Sequence, residues 1–367
     1  SIKEARSGIL PGLDANVDYY NYHDYPYLTY EENYQTNVSL TQTLYAGGRL
    51  INSVRQSKLN LRAAEEKQCR TRQEVISKVK EAFYRVLLAE EFVHINQETL
   101  SLTEEQLRIA GERYHAGEVS NYDVLRAEVE VARVKPALVK ARNYFEVAQN
   151  QFKFTIGLDL TALVKLKGEF VYLPRDVNLD DILATAFAIR PELKEMEANR
   201  KMGELGVKIA RGGSKPTVSL IVGNYWDEKS PYPARDEWDD YGVGLVSVDI
   251  SIFDGFEARA KTQEATAQLN AVKISQQNLR EKVKMEVENA FFNLKAAREV
   301  VASQIKNVDR AKKGLEIMMV RYKEGKTTEL DLLDAQVTLS RAKVDHAESI
   351  YDYVMAVASL ELAVGEE

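Results

Sequence analysis

The 367 residues, 45% hydrophobic and 29% charged with 8 prolines and 19 glycines, are enough for two ordinary domains and exclude a disordered or collagen-like chain. A net charge of −7 offers no broad basic field to nucleic-acid phosphates, and the single Cys69 excludes an intrachain disulfide framework or a Cys-rich zinc site. No run of about eighteen apolar residues occurs, which excludes a bundle of transmembrane helices but not a membrane β-barrel.

In chain order, Ser1–Ser7 and Gly8-Ile9-Leu10-Pro11 precede an alternating stretch in which Leu13, Ala15, Val17 and Tyr19 interleave with Asp14, Asn16 and Asp18. This pattern predicts a strand over 11–22. A polar, Tyr-rich loop (22–33) leads to a second strand over 34–45, closed by Gly47-Gly48. Residues 49–115 then keep helical spacing with almost no breakers; a sharp turn at Gly117 and a returning helix over 120–156 follow. An irregular connector (158–190) contains Pro174 and a short helix over 179–189, and Arg190-Pro191-Glu192 restarts a helix over 191–212. Strands over 215–226 and 241–253 flank an acidic loop (227–240), and the alternation slips at Leu245-Val246, which predicts a bulge. Gly255 and helices over 257–323 and 328–364 complete the chain.

This order repeats. Arg113-Tyr114-His115-Ala116-Gly117 and Asp123-Val124-Leu125-Arg126-Ala127 match Arg321-Tyr322-Lys323-Glu324-Gly325 and Asp331-Leu332-Leu333-Asp334-Ala335 at a shift of 208 positions. The same shift carries Gly47 to Gly255, Ala82-Phe83 to Ala290-Phe291, and Gly157 to Gly365. The domain reading is a first repeat (1–157), a connector (158–190) and a second repeat (191–367). Each repeat pairs a β-hairpin with a long helical hairpin, so the fold class is mainly α with a small β part. The capping-box sequences Ser120-Asn121-Tyr122-Asp123 and Thr328-Glu329-Leu330-Asp331 mark the start of each returning helix.

A helix over 49–115 spans roughly 100 Å, too long for the interior of a compact globule. Isolated hairpins are marginal in water, and the apolar side of the four strands has no partner within the chain. Lipid could cover it, since the strands have the length of tilted membrane strands, but four strands cannot close a barrel. Three copies would supply twelve strands, whereas two would supply eight around a filled interior.

This arrangement resembles the TolC-type outer-membrane efflux proteins. The marks are Tyr114-x-x-Gly117-x-x-Ser120-x-x-Asp123-Val124-Leu125, its twin Tyr322-x-x-Gly325-x-x-Thr328-x-x-Asp331-Leu332-Leu333, the restart Arg190-Pro191-Glu192-Leu193, and Leu44-Tyr45-Ala46-Gly47-Gly48 after a strand. The resemblance implies a homotrimer with a twelve-stranded β-barrel in outer-membrane lipid, continued by a periplasmic α-helical barrel. It further implies a passive exit duct of a tripartite efflux or type I secretion system, docked on a periplasmic adaptor protein and an inner-membrane pump. It also implies a helix before the first strand, where only Ser1–Ser7 stand, so that a trimmed product or fragment is expected. The alternative from another class is a soluble coiled-coil scaffold or adaptor, which the amphipathic rods alone would serve.

Asp331 and Asp334 are the leading site candidates. Around a threefold opening they would set six carboxylates, raising some of their pKa values and attracting cations; Asp331 equally fits its helix's capping box. By the resemblance both match the family's constriction aspartates, while the first repeat has Arg126 where Asp334 stands. Asp123 and Tyr322 match positions that tie neighbouring helical hairpins together, although Tyr322 could simply pack at a helix end. The family's linking arginine falls on Thr327. Gly117 and Gly325 suit tight turns on structural grounds; the resemblance adds that these tips, with Ser120 and Thr328, admit the adaptor.

Tyr19, Tyr20, Tyr22, Tyr225 and Trp226 fall at hairpin ends, where a membrane-interface girdle is expected. Asp236, Glu237, Asp239 and Asp240 read as a solvated loop, and Gly212-Gly213-Ser214-Lys215 lacks the spacing of a phosphate-binding loop. The four histidines show no metal-ligand spacing, and no nucleophile–base constellation occurs. Neither cofactor, metal, nucleic-acid partner nor enzymatic activity is expected.

Overall fold

The computed structural model describes residues 2–21, 32–168, 170–228 and 238–366. In chain order the elements are α1 (Ile2–Ser7), β1 (Gly12–Asn21), β2 (Glu32–Ala46), α2 (Arg49–His115), α3 (Asn121–Thr155), α4 (Leu179–Ile189), α5 (Pro191–Gly212), β3 (Thr217–Glu228), β4 (Trp238–Asp249), α6 (Glu257–Lys323) and α7 (Glu329–Val364). Among the described residues the protein is mainly helical with one small sheet. None of the described helices is long and apolar enough to cross a membrane.

The chain divides into two compact units that cut across the sequence repeats: Ser1–Gln68 with Pro191–Arg280, and Cys69–Arg190 with Glu281–Glu367. Each unit draws on both repeats because α2 and α6 are each shared between them.

In the first unit the two hairpins are not separate. Antiparallel pairing of β2 with β3 joins them into one four-stranded sheet of order β1-β2-β3-β4. Its outer strands, β1 and β4, each have one edge unpaired within the sheet. The register sorts the side chains by face, since cross-strand partners point the same way. Leu13, Leu40 and Val222 form one row; Ala15, Val38 and Asn224 the next; Leu220 and Val246 another. The opposite face carries Asp14 with Ser39 and Gly223, and Asn16 with Asn37 and Tyr225.

The apolar face is bare: Leu13 is 70% exposed, Val17 72%, Val246 60% and Val248 58%. The predicted bulge at Leu245-Val246 is absent. Register runs without interruption through Ile221–Leu245 and Leu220–Val246, and the alternation slips there because Val243 and Leu245, with Ile221 opposite Leu245, put apolar groups on the face that carries Asp14, Asn16 and Ser39. The irregularity lies instead in β2, between Thr43 and Tyr45. β4 ends at Asp249, leaving the strongly exposed Ile252 and Phe253 beyond it.

Two of the tyrosines expected in the aromatic girdle sit in cross-strand ring pairs, Tyr19 on Tyr34 at 5.0 Å and Tyr225 on Tyr241 at 5.6 Å; Tyr22 lies outside the described residues. Of the acidic loop, Asp236 and Glu237 also lie outside them, whereas Asp239 and Asp240 belong to β4. Below the sheet, Gln56 donates to the Met202 carbonyl (3.1 Å) and Gln276 to Glu197 (3.0 Å), tying α5 to α2 and α6.

The second unit is built from helices packed along apolar seams. Ala82, Val86 and Ala89 of α2 meet Ala148 and Phe152 of α3, and Leu100 meets Val131, Val134 and Leu138. Leu315 and Tyr322 of α6 meet Leu332 and Leu339 of α7, while Leu88 and Ile95 of α2 meet Ala347 of α7. At the α4–α5 junction, buried Arg190 bonds Glu286 at 2.6 Å.

Strand β2 hands over to α2 through Gly47, whose φ is +63°. A Cβ there would lie 2.4 Å from the Gly212 carbonyl oxygen and 2.9 Å from the Lys215 Cβ; at Gly48, φ +82°, the nearest neighbour would be Asn52 at 3.7 Å. Gly48→Ala is therefore expected to cost only the left-handed backbone penalty of about 1–2 kcal/mol. Gly47→Ala adds a backbone clash, and should cost roughly twice as much or more. Denaturation of the two detergent-solubilised variants measures the difference; equal losses would contradict the close approach.

Candidate functional site at the helical hairpin tips

All nine tip residues singled out in the sequence belong to the second unit. Each outgoing helix stops at a glycine with positive φ, Gly117 at +75° and Gly325 at +69°. The chain reverses through paired backbone bonds: Gly117 N–H to Tyr114 O (2.9 Å) and Glu118 N–H to Arg113 O (2.9 Å), with Gly325 to Tyr322 (3.0 Å) and Lys326 to Arg321 (2.9 Å) repeating them. These bonds satisfy two of the orphan carbonyls at each helix end. No heavy atom lies within 4 Å of where a Cβ would stand on either glycine, so the space beside both turns is open.

The returning helices start on carboxylate caps. In the first tip the Asp123 carboxylate accepts from the Ser120 backbone N–H (2.9 Å) and the Ser120 hydroxyl (2.8 Å). In the second, one oxygen of Asp331 accepts from the Thr328 hydroxyl (2.6 Å), the Thr327 hydroxyl (2.8 Å) and the Thr328 N–H (3.1 Å), while the Thr328 hydroxyl oxygen accepts from Asp331 N–H (3.3 Å). The Thr328 hydroxyl, then Thr327's and the backbone N–H hold the Asp331 carboxyl below its ordinary range. Asp331 is thus an exposed cap whose charge is retained, and Thr327 serves that cap. Asp334 stands one turn further along α7, also exposed.

The two tips are tied together by Arg113. Its guanidinium lies 5.0 Å from the centre of the Tyr322 ring, its Nη1 donates to the Tyr322 carbonyl at 3.2 Å, and its Nε donates to Glu118 at 3.0 Å. Cation–π stacking, a backbone bond and an ion pair therefore converge on one side chain that bridges the hairpins. Tyr322 is only 7% exposed and packs with Leu315, Leu332 and Leu339. Burial, reinforced by the nearby Glu329 charge, pushes its phenol pKa up. Asp123 is close enough to act on Tyr322 electrostatically, but its bonds serve its own helix cap.

Two residues escaped sequence reasoning. Arg113 was visible only as part of the repeated Arg-Tyr pair, matching Arg321. Glu329 looked like an ordinary first-turn acid inside a capping box, yet it is 7% exposed and both carboxylate oxygens are buried without a hydrogen-bond partner. The charges acting on it, Asp123 and Arg126, belong to the opposite hairpin, which no local pattern reports. Among the described residues no group of three or more His, Cys, Asp or Glu side chains is placed to hold a metal ion.

The sequence profile of a family described as "Outer membrane efflux protein" matches residues 1–158 and 182–366. The chain is 24% identical to the outer membrane efflux protein BepC of Brucella suis, over 93% of this chain and 74% of that protein. It is 26% identical to the outer membrane protein TolC of Escherichia coli, over 99% of this chain and 76% of that protein. Among solved structures, the open state of the MtrE outer membrane channel of Neisseria gonorrhoeae superposes with a TM-score of 0.81 at 19% identity, covering 100% of this chain and 82% of that one. That last likeness is one of fold.

Removing the hydroxyl of an N-cap threonine costs about 1 kcal/mol. Thr328→Ala is therefore expected to lower amide protection over 329–332 by roughly fivefold, following the same loss, and to leave 121–124 unchanged. Hydrogen exchange resolved by residue checks this; equal loss at both tips would contradict separate caps.

Proposed function

The chain belongs to the outer membrane efflux protein family, and from that membership we propose that three copies assemble into one duct, each contributing its four strands to a twelve-stranded barrel. The protein is an outer-membrane exit duct for efflux or secretion, with its helices in the periplasm. The observation that carries the trimer is the sheet: an exposed apolar face flanked by two unpaired edges. Lipid covers such a face at no cost in backbone bonds only if a neighbour's β4 pairs with each β1. A soluble scaffold would leave the same face in water, where a contiguous apolar patch is a liability.

The family is one of transport proteins, and the duct does no chemistry of its own. An inner-membrane pump supplies the energy and a periplasmic adaptor links the two. The adaptor seats on the tips, where the open space beside Gly117 and Gly325, with Ser120 and Thr328, admits helical side chains. A groove lined by Gln106, Ile109, Arg113, Glu118, Tyr322 and Lys323 lies beside them.

Asp331 and Asp334 form the constriction. Asp331's charge is fixed by its cap and acts as a field, while Asp334, free of capping duty, offers its oxygens to cations in the opening. Asp123, Tyr322 and Thr327 complete the tip network, in which Arg113 takes the linking part for which Thr327 has no charge.

Purified protein reconstituted in planar bilayers should conduct, and divalent cations added on the tip side should block the current. Asp334→Ala, alone or with Asp331→Ala, is expected to weaken that block by about tenfold, the effect of losing about 1.4 kcal/mol of binding. Absence of conduction would contradict the duct; conduction with unchanged block would contradict the constriction.

A further inference from the structure

Glu329 opens α7 inside the packed tip, with 7% of its surface exposed and neither carboxylate oxygen hydrogen-bonded. The charged and titratable groups around it come from three elements. Asp123 and Arg126 act on it from α3, and Tyr322 from α6, with Arg113 of α2 stacked on the tyrosine ring. Asp123 is already engaged by Ser120, and Arg113 by Glu118 and the Tyr322 carbonyl. An ionised carboxylate buried without a partner is strongly disfavoured, and the least costly remedy is a proton.

We propose that Glu329 is a proton-operated latch: protonated, it stays buried and keeps the second hairpin tip packed against α3; ionised, it leaves for water and loosens the tip. The proton is given to solvent and no bond other than O–H is broken. Burial, with the Asp123 charge adding to it and Arg126 opposing, pushes the carboxyl up from its ordinary 4.5 to about 7. The packed tip therefore holds its proton to higher pH than the loosened tip does. Packing is at full strength below about 4.5, weakens as pH rises from there, and has lost the whole contribution above about 7. Applied to the duct, a consequence that rests on the reading above, acid favours the packed tips and neutral pH frees them.

Glu329→Gln keeps the shape and removes the titration. In the native trimer, protection of amides over 317–335, relative to the variant, is expected to fall by about tenfold per pH unit between roughly 4.5 and 7, approaching 300-fold in total. Infrared spectra of native protein carrying isotope-labelled glutamate supply a second readout that needs no variant. They should show a labelled protonated-carboxyl band at pH 6 that disappears by pH 8. Tip exchange that tracks the variant at every pH, or a carboxyl already ionised at pH 6 against Arg126, would overturn the latch. Neither readout requires current, so failure of the latch and failure of the duct are separately visible.

Discussion

Backbone amides and carbonyls facing hydrocarbon have no water to fall back on, so every one must be paired within protein. In this protein that constraint meets one four-stranded sheet. Its apolar face, with Leu13, Val17, Val246 and Val248, is uncovered, and its outer strands β1 and β4 each keep a free edge. Hydrocarbon satisfies the side chains and leaves the edges wanting; water does the reverse. The proposed extension of the sheet by copies of itself answers both demands. The polar second face, with Asp14, Asn16, Ser39 and Asn37, then lines an interior suited to water.

At the tips the same economy of polar groups takes another form. Two carboxylates at matching repeat positions, Asp123 and Asp331, are consumed in closing helix starts. Arg113 is consumed in bridging the hairpins. Glu329 is left buried with neither carboxylate oxygen bonded, which disfavours its charged form. The tips are held by these caps, by Arg113, and by the packing of Tyr322 with Leu315, Leu332 and Leu339.

Much of this was legible in the residues because it is written locally. Gly117 and Gly325 with their caps announce where helices stop and restart, and the alternation around Leu13–Tyr19 announces a strand with one apolar face. Pairing of β2 with β3 was not legible, because it joins segments separated by the whole first helical hairpin. The slip at Leu245-Val246 was misread as a bulge: a strand with apolar side chains on both faces produces the same pattern. The interruption in β2 follows Thr43, where Thr41, Thr43 and Tyr45 continue an alternation that hides it. Arg113 and Glu329 take their meaning from the opposite hairpin, and their neighbours in sequence carry no sign of it.

One chain is proposed to supply only part of a cylinder. The mass of the detergent-solubilised protein, measured by light scattering with the detergent contribution subtracted, tests it most directly. Three chains of 41.6 kDa each are expected in one particle, obtained from membranes only with detergent. A monodisperse single chain extracted in plain buffer would contradict it.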